Sequence, residues 1–208
     1  MTRFDLSFIM LGIKDFSNIQ PKNIVEIGSR DGHDAECIRD FFQLKQEDCY
    51  IFEPNPYAIN FIKSTYPKMN LYNNAINDIS GTFDFHIDYN NIGASSLLSK
   101  KISPSETVKV ECLTMESCID EIGFDTIDIA KIDVEGATLG VLKSFGKHLN
   151  KLQSLQIECE HKEIWEGQKL YPEIKEWLIE NGFVEMLFAN IANEVQSDSF
   201  WLKKDRIS

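Results

Sequence analysis

Two periods of hydrophobic and polar positions alternate along this chain. Short apolar runs at Ile24-Val25-Glu26-Ile27, Cys49-Tyr50-Ile51-Phe52, Met69 to Tyr72, Ile127 to Ile132 and Leu155 to Glu158 read as buried strands. Between them the apolar residues return every three or four positions, as on a helix packed by one face. Such patterns run from about Asp34 to Leu44 (Cys37, Ile38, Phe41, Phe42), from Pro56 towards Pro67 (Ala58, Phe61, Ile62), from Glu135 to Leu149 (Leu142, Phe145, Leu149) and from Pro172 to Asn181 (Ile174, Trp177, Leu178). Asn55 before Pro56 has the chemistry of an N-cap followed by proline at the first helical position. Asp5 to Phe16 is a further amphipathic helix ended by Pro21, so residues 1–22 are expected to pack as a helical segment on one domain spanning 1–208.

The middle of the chain departs from this rhythm. Thr82 to Ile87 alternates strictly, Thr107 to Cys112 is extended, and Met115 to Ile122 is a short helix. Asn90 to Ser105 is rich in Asn, Ser and Gly without a period, and is expected to be a mobile loop that acts as a lid or recognises a substrate. Phe183 to Ala189 and Ser199 to Lys203 suit a closing antiparallel pair. The whole pattern predicts an α/β fold, a doubly wound sheet with helices on both faces.

Composition narrows the function. The 208 residues are 43% hydrophobic and 26% charged, as in a soluble globular protein, with a net charge of -12. That acidic excess argues against a nucleic-acid backbone or an anionic membrane surface as partner. No stretch is apolar enough to span a bilayer, and the N-terminus lacks the pattern of a signal peptide. Five scattered cysteines without a Cys-x-x-Cys pair read as reduced thiols, so a cytoplasmic protein without structural zinc is expected.

The chemistry gathers at the predicted strand ends. Asn23 to Gly32 combines a strand, a polar turn between Gly28 and Gly32, and a helix start. This is Gly-x-x-x-Gly, unlike the Gly-x-Gly-x-x-Gly that cradles a pyrophosphate. Glu26 before the first glycine repels phosphate and attracts a cation. S-adenosylmethionine, with a sulfonium, an ammonium and no phosphate, therefore suits the turn better than a dinucleotide does. In doubly wound sheets ligands bind beyond the carboxyl ends of the strands. Those ends carry Glu26, Glu53, Asn74, Asp133 and Glu158. Glu53 is placed to accept hydrogen bonds from both ribose hydroxyls, and Asn74 or its neighbours to meet adenine. Asp133 and Glu135 face the donor's charge or an acceptor hydroxyl. Abstracting a hydroxyl proton calls for a general base, for which His161, Glu135 and Glu158 compete. These acids already have donor and base roles, so no metal is assigned. Trp165 is either a sugar-stacking surface or part of the core.

Several of these segments resemble the FkbM-type S-adenosylmethionine-dependent methyltransferases. Val25-Glu26-Ile27-Gly28-Ser29-Arg30-Asp31-Gly32 is similar to that family's donor loop, and Phe52-Glu53-Pro54-Asn55-Pro56 to its ribose element. Gly93-Ala94-Ser95-Ser96-Leu97 resembles a serine-containing loop. Lys131-Ile132-Asp133-Val134-Glu135-Gly136-Ala137 resembles the family's most distinctive signature. The resemblance implies a Rossmann-like class I methyltransferase, usually an O-methyltransferase acting on a sugar or glycan acceptor. It places the donor on Glu26, Gly28, Gly32, Glu53 and Asn74, and an active site on Asp133 and Glu135; Ser29, Asp31, Pro54, Ala75 and Asp133, in or beside the same segments, are further donor-binding candidates. The chain departs from the pattern at Glu26 and Arg30, where Asp and Asn are common, and at Met115-Glu116, where Leu-Asp is usual. An NAD-dependent oxidoreductase and a non-catalytic binding domain stay as alternatives.

Overall fold

The computed structural model describes residues 6–100, 105–191 and 195–208. Ten strands follow in chain order: β1 (Ile24–Ile27), β2 (Cys49–Phe52), β3 (Asn70–Tyr72), β4 (Ala75–Ile76), β5 (Gly81–Asp88), β6 (Ser105–Leu113), β7 (Ile129–Ile132), β8 (Ser154–Glu160), β9 (Phe183–Ile191) and β10 (Gln196–Lys203). The α-helices are α1 (Ser7–Phe16), α2 (His33–Phe42), α3 (Pro56–Thr65), α4 (Met115–Ile122), α5 (Thr138–Lys143) and α6 (Tyr171–Glu180). Seven strands form one sheet in the order β3-β2-β1-β7-β8-β10-β9, and β4-β6-β5 form a second. β1, β2, β3, β7 and β8 run parallel, whereas β10 is antiparallel to both β8 and β9. The chain starts in the middle of the sheet, steps outward to β3, and returns on the other side of β1 at β7. The switch point therefore lies between β1 and β7, where such sheets bind ligands.

Helices cover both faces, as the two periods predict. Side chains alternate across a strand, so β1 sends Ile24 to one face and Val25 and Ile27 to the other. Ile24, Ile51, Ile129, Phe200 and Leu202 pack beneath α1, α2 and α3, against Ile9, Ile13, Ile38 and Ile62. Val25, Ile27, Phe52, Ile132, Ile157 and Trp201 pack beneath α4, α5 and α6, against Ile119, Leu142, Ile174 and Leu178. Asn55 caps α3, its side chain accepting the Tyr57 N–H, with Pro56 at the first helical position. The second sheet is inserted between β3 and α4 and packs Phe85, Ile87, Val110 and Cys112 into a small core of its own.

Two expectations need adjustment. The segment expected to be helical from Glu135 to Leu149 begins as a turn, because Glu135 (φ 51°) and Gly136 (φ 86°) are both left-handed. Its helix is the short α5, followed by a 3-10 turn over Gly146–Lys151. The aperiodic stretch from Asn90 to Ser105 is anchored at two points, by bridges from His86 to Ser96 and from Lys100 to Trp165. Residues 101–104 of that stretch, and residues 1–5 ahead of α1, lie outside the described residues. Among the described residues, no helix is long and apolar enough to cross a membrane.

One row of the sheet's α1–α3 face is polar: Glu26, Lys131 and Gln156 are neighbours in register on β1, β7 and β8. Gln156 is 1% exposed, and neither its amide nitrogen nor its amide oxygen has a partner among the described residues. An unpaired buried amide costs about 1–3 kcal/mol. Gln156→Met, close in shape, is therefore expected to stabilise the protein by roughly 1 kcal/mol, read as a higher urea midpoint. An unchanged or lower midpoint would show that the amide is satisfied in solution.

Candidate active site

A cavity with about 550 Å³ of empty space, part of it open to solvent, lies over the carboxyl ends of β1, β2 and β7. Its floor is Gly28, Glu53 and Asp133; Ala75, Phe85 and Leu97 from the second sheet and its loop form the roof. Gly28 shapes the floor. Its φ is 80°, and a Cβ there would lie 1.8 Å from the Asp133 carbonyl oxygen, so only glycine lets the turns after β1 and β7 close on each other. The Gly28 N–H donates to Phe52 O at 3.0 Å and the Asp133 N–H to Ile27 O at 2.9 Å, which ties three strand ends together.

Glu53 faces this cavity although it is 4% exposed. Its Oε2 accepts the Arg30 N–H and its Oε1 the Asn55 N–H, both at 2.7 Å. Each oxygen keeps lone-pair capacity for a hydroxyl from the cavity. Burial pushes the carboxyl up to about 7, against the pull of the Asn55 and Arg30 amides. Arg30 presents its N–H to Glu53 from a left-handed backbone (φ 59°), a conformation that asparagine takes more readily. That is the physical sense of the departure at this position. The Arg30 guanidinium turns to Asp31, with Nη2 3.0 Å from Oδ2.

Beyond Asp133 stands a group of acids. One carboxylate oxygen each from Asp133, Glu135 and Glu158 lie within 4.8 Å of one another, with Glu135 and Glu158 buried. Burial raises Glu135 to about 9, with Asp133 and Glu160 adding to the effect. Burial raises Glu158 to about 11, reinforced by Asp133, Glu135 and Asp198. The Gln196 side chain donates to Glu158 Oε1 at 2.7 Å. The Lys131 Nζ lies 3.1 Å from Asp133 Oδ2 and 3.0 Å from Asp34 Oδ2, which places a positive charge at the edge of this group.

The remaining candidates divide between the cavity wall and other parts of the fold. Glu26 points away from the cavity, beneath α2, where its Oε2 accepts the Ala35 N–H at 3.1 Å. Alternation puts its side chain on the α2 face, so it braces the first turn of that helix. Burial, with Asp34 adding to it, raises Glu26 to about 8. Ser29 and Asp31 also serve the turn: Ser29 Oγ accepts the Gly32 N–H and Asp31 Oδ1 the His33 N–H. Gly32, left-handed at φ 76°, opens α2. Pro54 and Ala75 line the cavity, while Asn74 is half-buried and donates weakly to Glu111 O. His161 does not join the acids; its ring lies 5.0 Å from Tyr171 and 6.0 Å from Phe188. Trp165 is 1% exposed and packs against Gly136, so it offers no surface for stacking a sugar. Ile76, Phe85 and Leu97 also line the cavity; Leu97 lies in the stretch expected to act as a lid or to recognise a substrate, whereas no motif singles out Ile76 and Phe85. The strict alternation of Thr82 to Ile87 signalled a face of this kind, without saying what it covers.

The methyltransferase FkbM domain family matches residues 26–185 of this chain. The chain belongs to that family. It is 29% identical over 163 residues to the 2-O-methyltransferase NoeI of Sinorhizobium fredii (strain NBRC 101917 / NGR234), a match covering 70% of this chain and 66% of that protein. The matched part is thus just under two thirds of the relative's length. The crystal structure of methyltransferase FkbM from Methylobacillus flagellatus KT superposes with a TM-score of 0.58 at 11% identity, over 88% of this chain and 44% of that one. A protein of the NADB-Rossmann superfamily from Streptococcus agalactiae gives 0.52 at 11% identity, over 98% and 69%. These likenesses establish the Rossmann-like fold, with β8, β10 and β9 as its antiparallel end.

Two predictions follow from the geometry. Glu53→Ala removes the acceptor of two amides, so it is expected to cost roughly 2–4 kcal/mol of stability and to weaken ligand binding in the cavity. Unfolding curves and calorimetric titration with S-adenosylhomocysteine measure the two effects. The second concerns pH. The folded pKa values of Glu26, Glu53, Glu135 and Glu160 lie at about 7 to 9, above the ordinary 4.5. The folded state therefore holds protons that the unfolded chain has released, and stability falls as pH rises from about 5 to 9. Each pH unit by which one carboxyl is raised corresponds to about 1.4 kcal/mol. Melting temperatures at pH 5.5 above those at pH 9, without ligand, are the expected result.

Proposed function

We propose that this chain is a single-domain S-adenosylmethionine-dependent O-methyltransferase whose acceptor is a hydroxyl, most simply that of a sugar in a glycan or glycosylated product. The observation that carries the reading is the charge of the site. The cavity at the switch point is floored by the carboxylates of Glu53 and Asp133, leads into two more acids at Glu135 and Glu158, and has a Gly-x-x-x-Gly turn that offers no pyrophosphate cradle. A cationic donor fits such a site and a dinucleotide does not. The printed activity of the NoeI relative, 2-O-methyl transfer, supports a hydroxyl acceptor.

The residues suit the donor in three respects. The absent Cβ of Gly28 lets the β1 and β7 turns frame the cavity floor. Glu53 has free lone pairs for the ribose hydroxyls. Ile76, Phe85 and Leu97 provide an apolar slot for the adenine. S-adenosylmethionine supplies a methyl group already activated by its sulfonium. The protein's part is to align the acceptor, exclude water and take up the hydroxyl proton. Asp133, at the junction of cavity and acids, offsets the donor's charge. Glu135 and Glu158 both lie beside Asp133 and both face the Gln196 amide, and a raised pKa makes the ionised member a stronger base. The one that is free takes the acceptor's proton and passes it on to solvent. His161, held between aromatic rings, supports the sheet end in this reading.

Calorimetry with S-adenosylmethionine and S-adenosylhomocysteine, followed by labelled methyl transfer to a panel of oligosaccharides, tests the proposal. Binding of both ligands with label appearing in an oligosaccharide is expected, and Glu135→Gln and Glu158→Gln should each lower kcat by roughly 10²- to 10⁴-fold. No binding at millimolar donor, or preferential binding of NADH, overturns the reading. Binding without transfer to any hydroxyl compound would point to a non-catalytic domain.

A further inference from the structure

The backbone at Glu135 is unusual, and something must hold it. Glu135 is left-handed at φ 51° and Gly136 follows at φ 86°. A left-handed backbone is unfavourable for a residue with a Cβ, so it persists only where neighbours determine it. Here the peptide between Glu135 and Gly136 is gripped at both ends. Its carbonyl oxygen accepts from Ser96 Oγ at 2.6 Å. Its N–H, on Gly136, donates to Glu160 Oε1 at 3.1 Å. Ser96 is 1% exposed and Glu160 also 1%. Two buried side chains from different parts of the chain thus fix the plane of one peptide.

Ser96 is not needed to anchor its own loop. Its N–H donates to His86 O at 3.1 Å and its carbonyl accepts the His86 N–H at 2.8 Å, so the backbone alone docks the loop on β5. The hydroxyl is left to do two things: it accepts the Leu98 N–H at 3.0 Å and donates its one proton to Glu135 O. The loop that carries Ser96 also supplies Ser95 and Leu97 to the cavity wall. The contact therefore joins the roof of the cavity to the turn that bears the acids.

We infer that Ser96 is a positioning residue for Glu135: with Glu160 it locks the Glu135–Gly136 peptide, so that the Glu135 carboxyl stays beside Asp133 and Glu158. Rotation of that peptide would swing the Glu135 side chain out of the group. This rests on the reading of Glu135 as part of the methyl-transfer site, and it adds two residues that touch neither donor nor acceptor.

The test compares S-adenosylmethionine with S-adenosylhomocysteine, which differ by the methyl and its positive charge, so the ratio of their affinities reports the carboxylates' grip on that charge. Calorimetry on the full chain at one pH would measure this ratio for the wild type, Ser96→Ala, Ser96→Thr, Glu135→Gln and the double variant Ser96→Ala/Glu135→Gln. Ser96→Ala should lower the ratio by about three- to tenfold, the effect of one lost hydrogen bond, with S-adenosylhomocysteine affinity nearly unchanged. Ser96→Thr should restore it, and Ser96→Ala should add nothing in the Glu135→Gln background. Ser96→Cys, whose thiol is a poorer donor to the same carbonyl, should give a partial loss of the ratio and decides the matter should Ser96→Ala not fold. A wild-type ratio in Ser96→Ala, or additive losses in the double variant, would overturn the assignment while leaving the functional reading intact. A wild type that binds neither ligand overturns both.

Discussion

The buried ammonium of Lys131 is the contact on which the site depends. It is 6% exposed and sits on β7 directly across from Glu26 of β1. Burial alone would strip its proton, but Asp133, Asp34 and Glu26 hold it charged, with a pKa raised well above the ordinary lysine value. Its Nζ bridges the first turn of α2, through Asp34, and the rim of the cavity, through Asp133. A buried ion pair of this kind contributes little net stability over a well-packed apolar pair, yet removing one partner is strongly destabilising. Its value here is positional. It fixes where the carboxylates stand, and its charge limits how far their pKa values rise, since it opposes the shift at Glu26, Glu135 and Glu158.

One lysine cannot neutralise so many acids. Glu26, Asp34, Asp133, Glu135 and Glu158 all lie within its influence, and Lys100 adds a second positive charge acting on Glu135. The surplus is carried by protons when the protein is alone. A cationic ligand in the cavity relieves the same repulsion by another route. Binding of a cation and proton balance are then two sides of one electrostatic condition.

The second sheet completes the site. β4, β5 and β6 are inserted between the first and second halves of the Rossmann-like sheet, and they bring Phe85 and the loop after β5 over the cavity. The same loop reaches across to the turn after β7 through Ser96 and to the segment before α6 through Lys100 and Trp165. A roof tied to the turn after β7 lets cavity shape and acid geometry stay in register. In a simple doubly wound sheet those would be set by separate loops.

Much of the fold is legible in the sequence, because strand and helix periods are local properties. The runs at Ile24 to Ile27 and Cys49 to Phe52, the helix over Met115 to Ile122 and the Asn55-Pro56 helix start all follow from patterning and capping. Signature residues locate the site to within a few positions, since turns at strand ends are short and glycine marks them. What the sequence leaves open is direction. Glu26 and Glu53 look alike as acids ending strands, but alternation sends Glu26 under α2 and the bend at Pro54 leaves Glu53 at the cavity. The helical pattern after Glu135 hides a left-handed turn, because the contacts that hold it come from Ser96 and Glu160, each more than twenty residues away. The chain alone thus determines which chemistry is present and near which strand end. Only the packing of distant segments decides which carboxylates stand together, which brace a helix, and which meet a ligand, because a side chain's charge depends on what surrounds it in space.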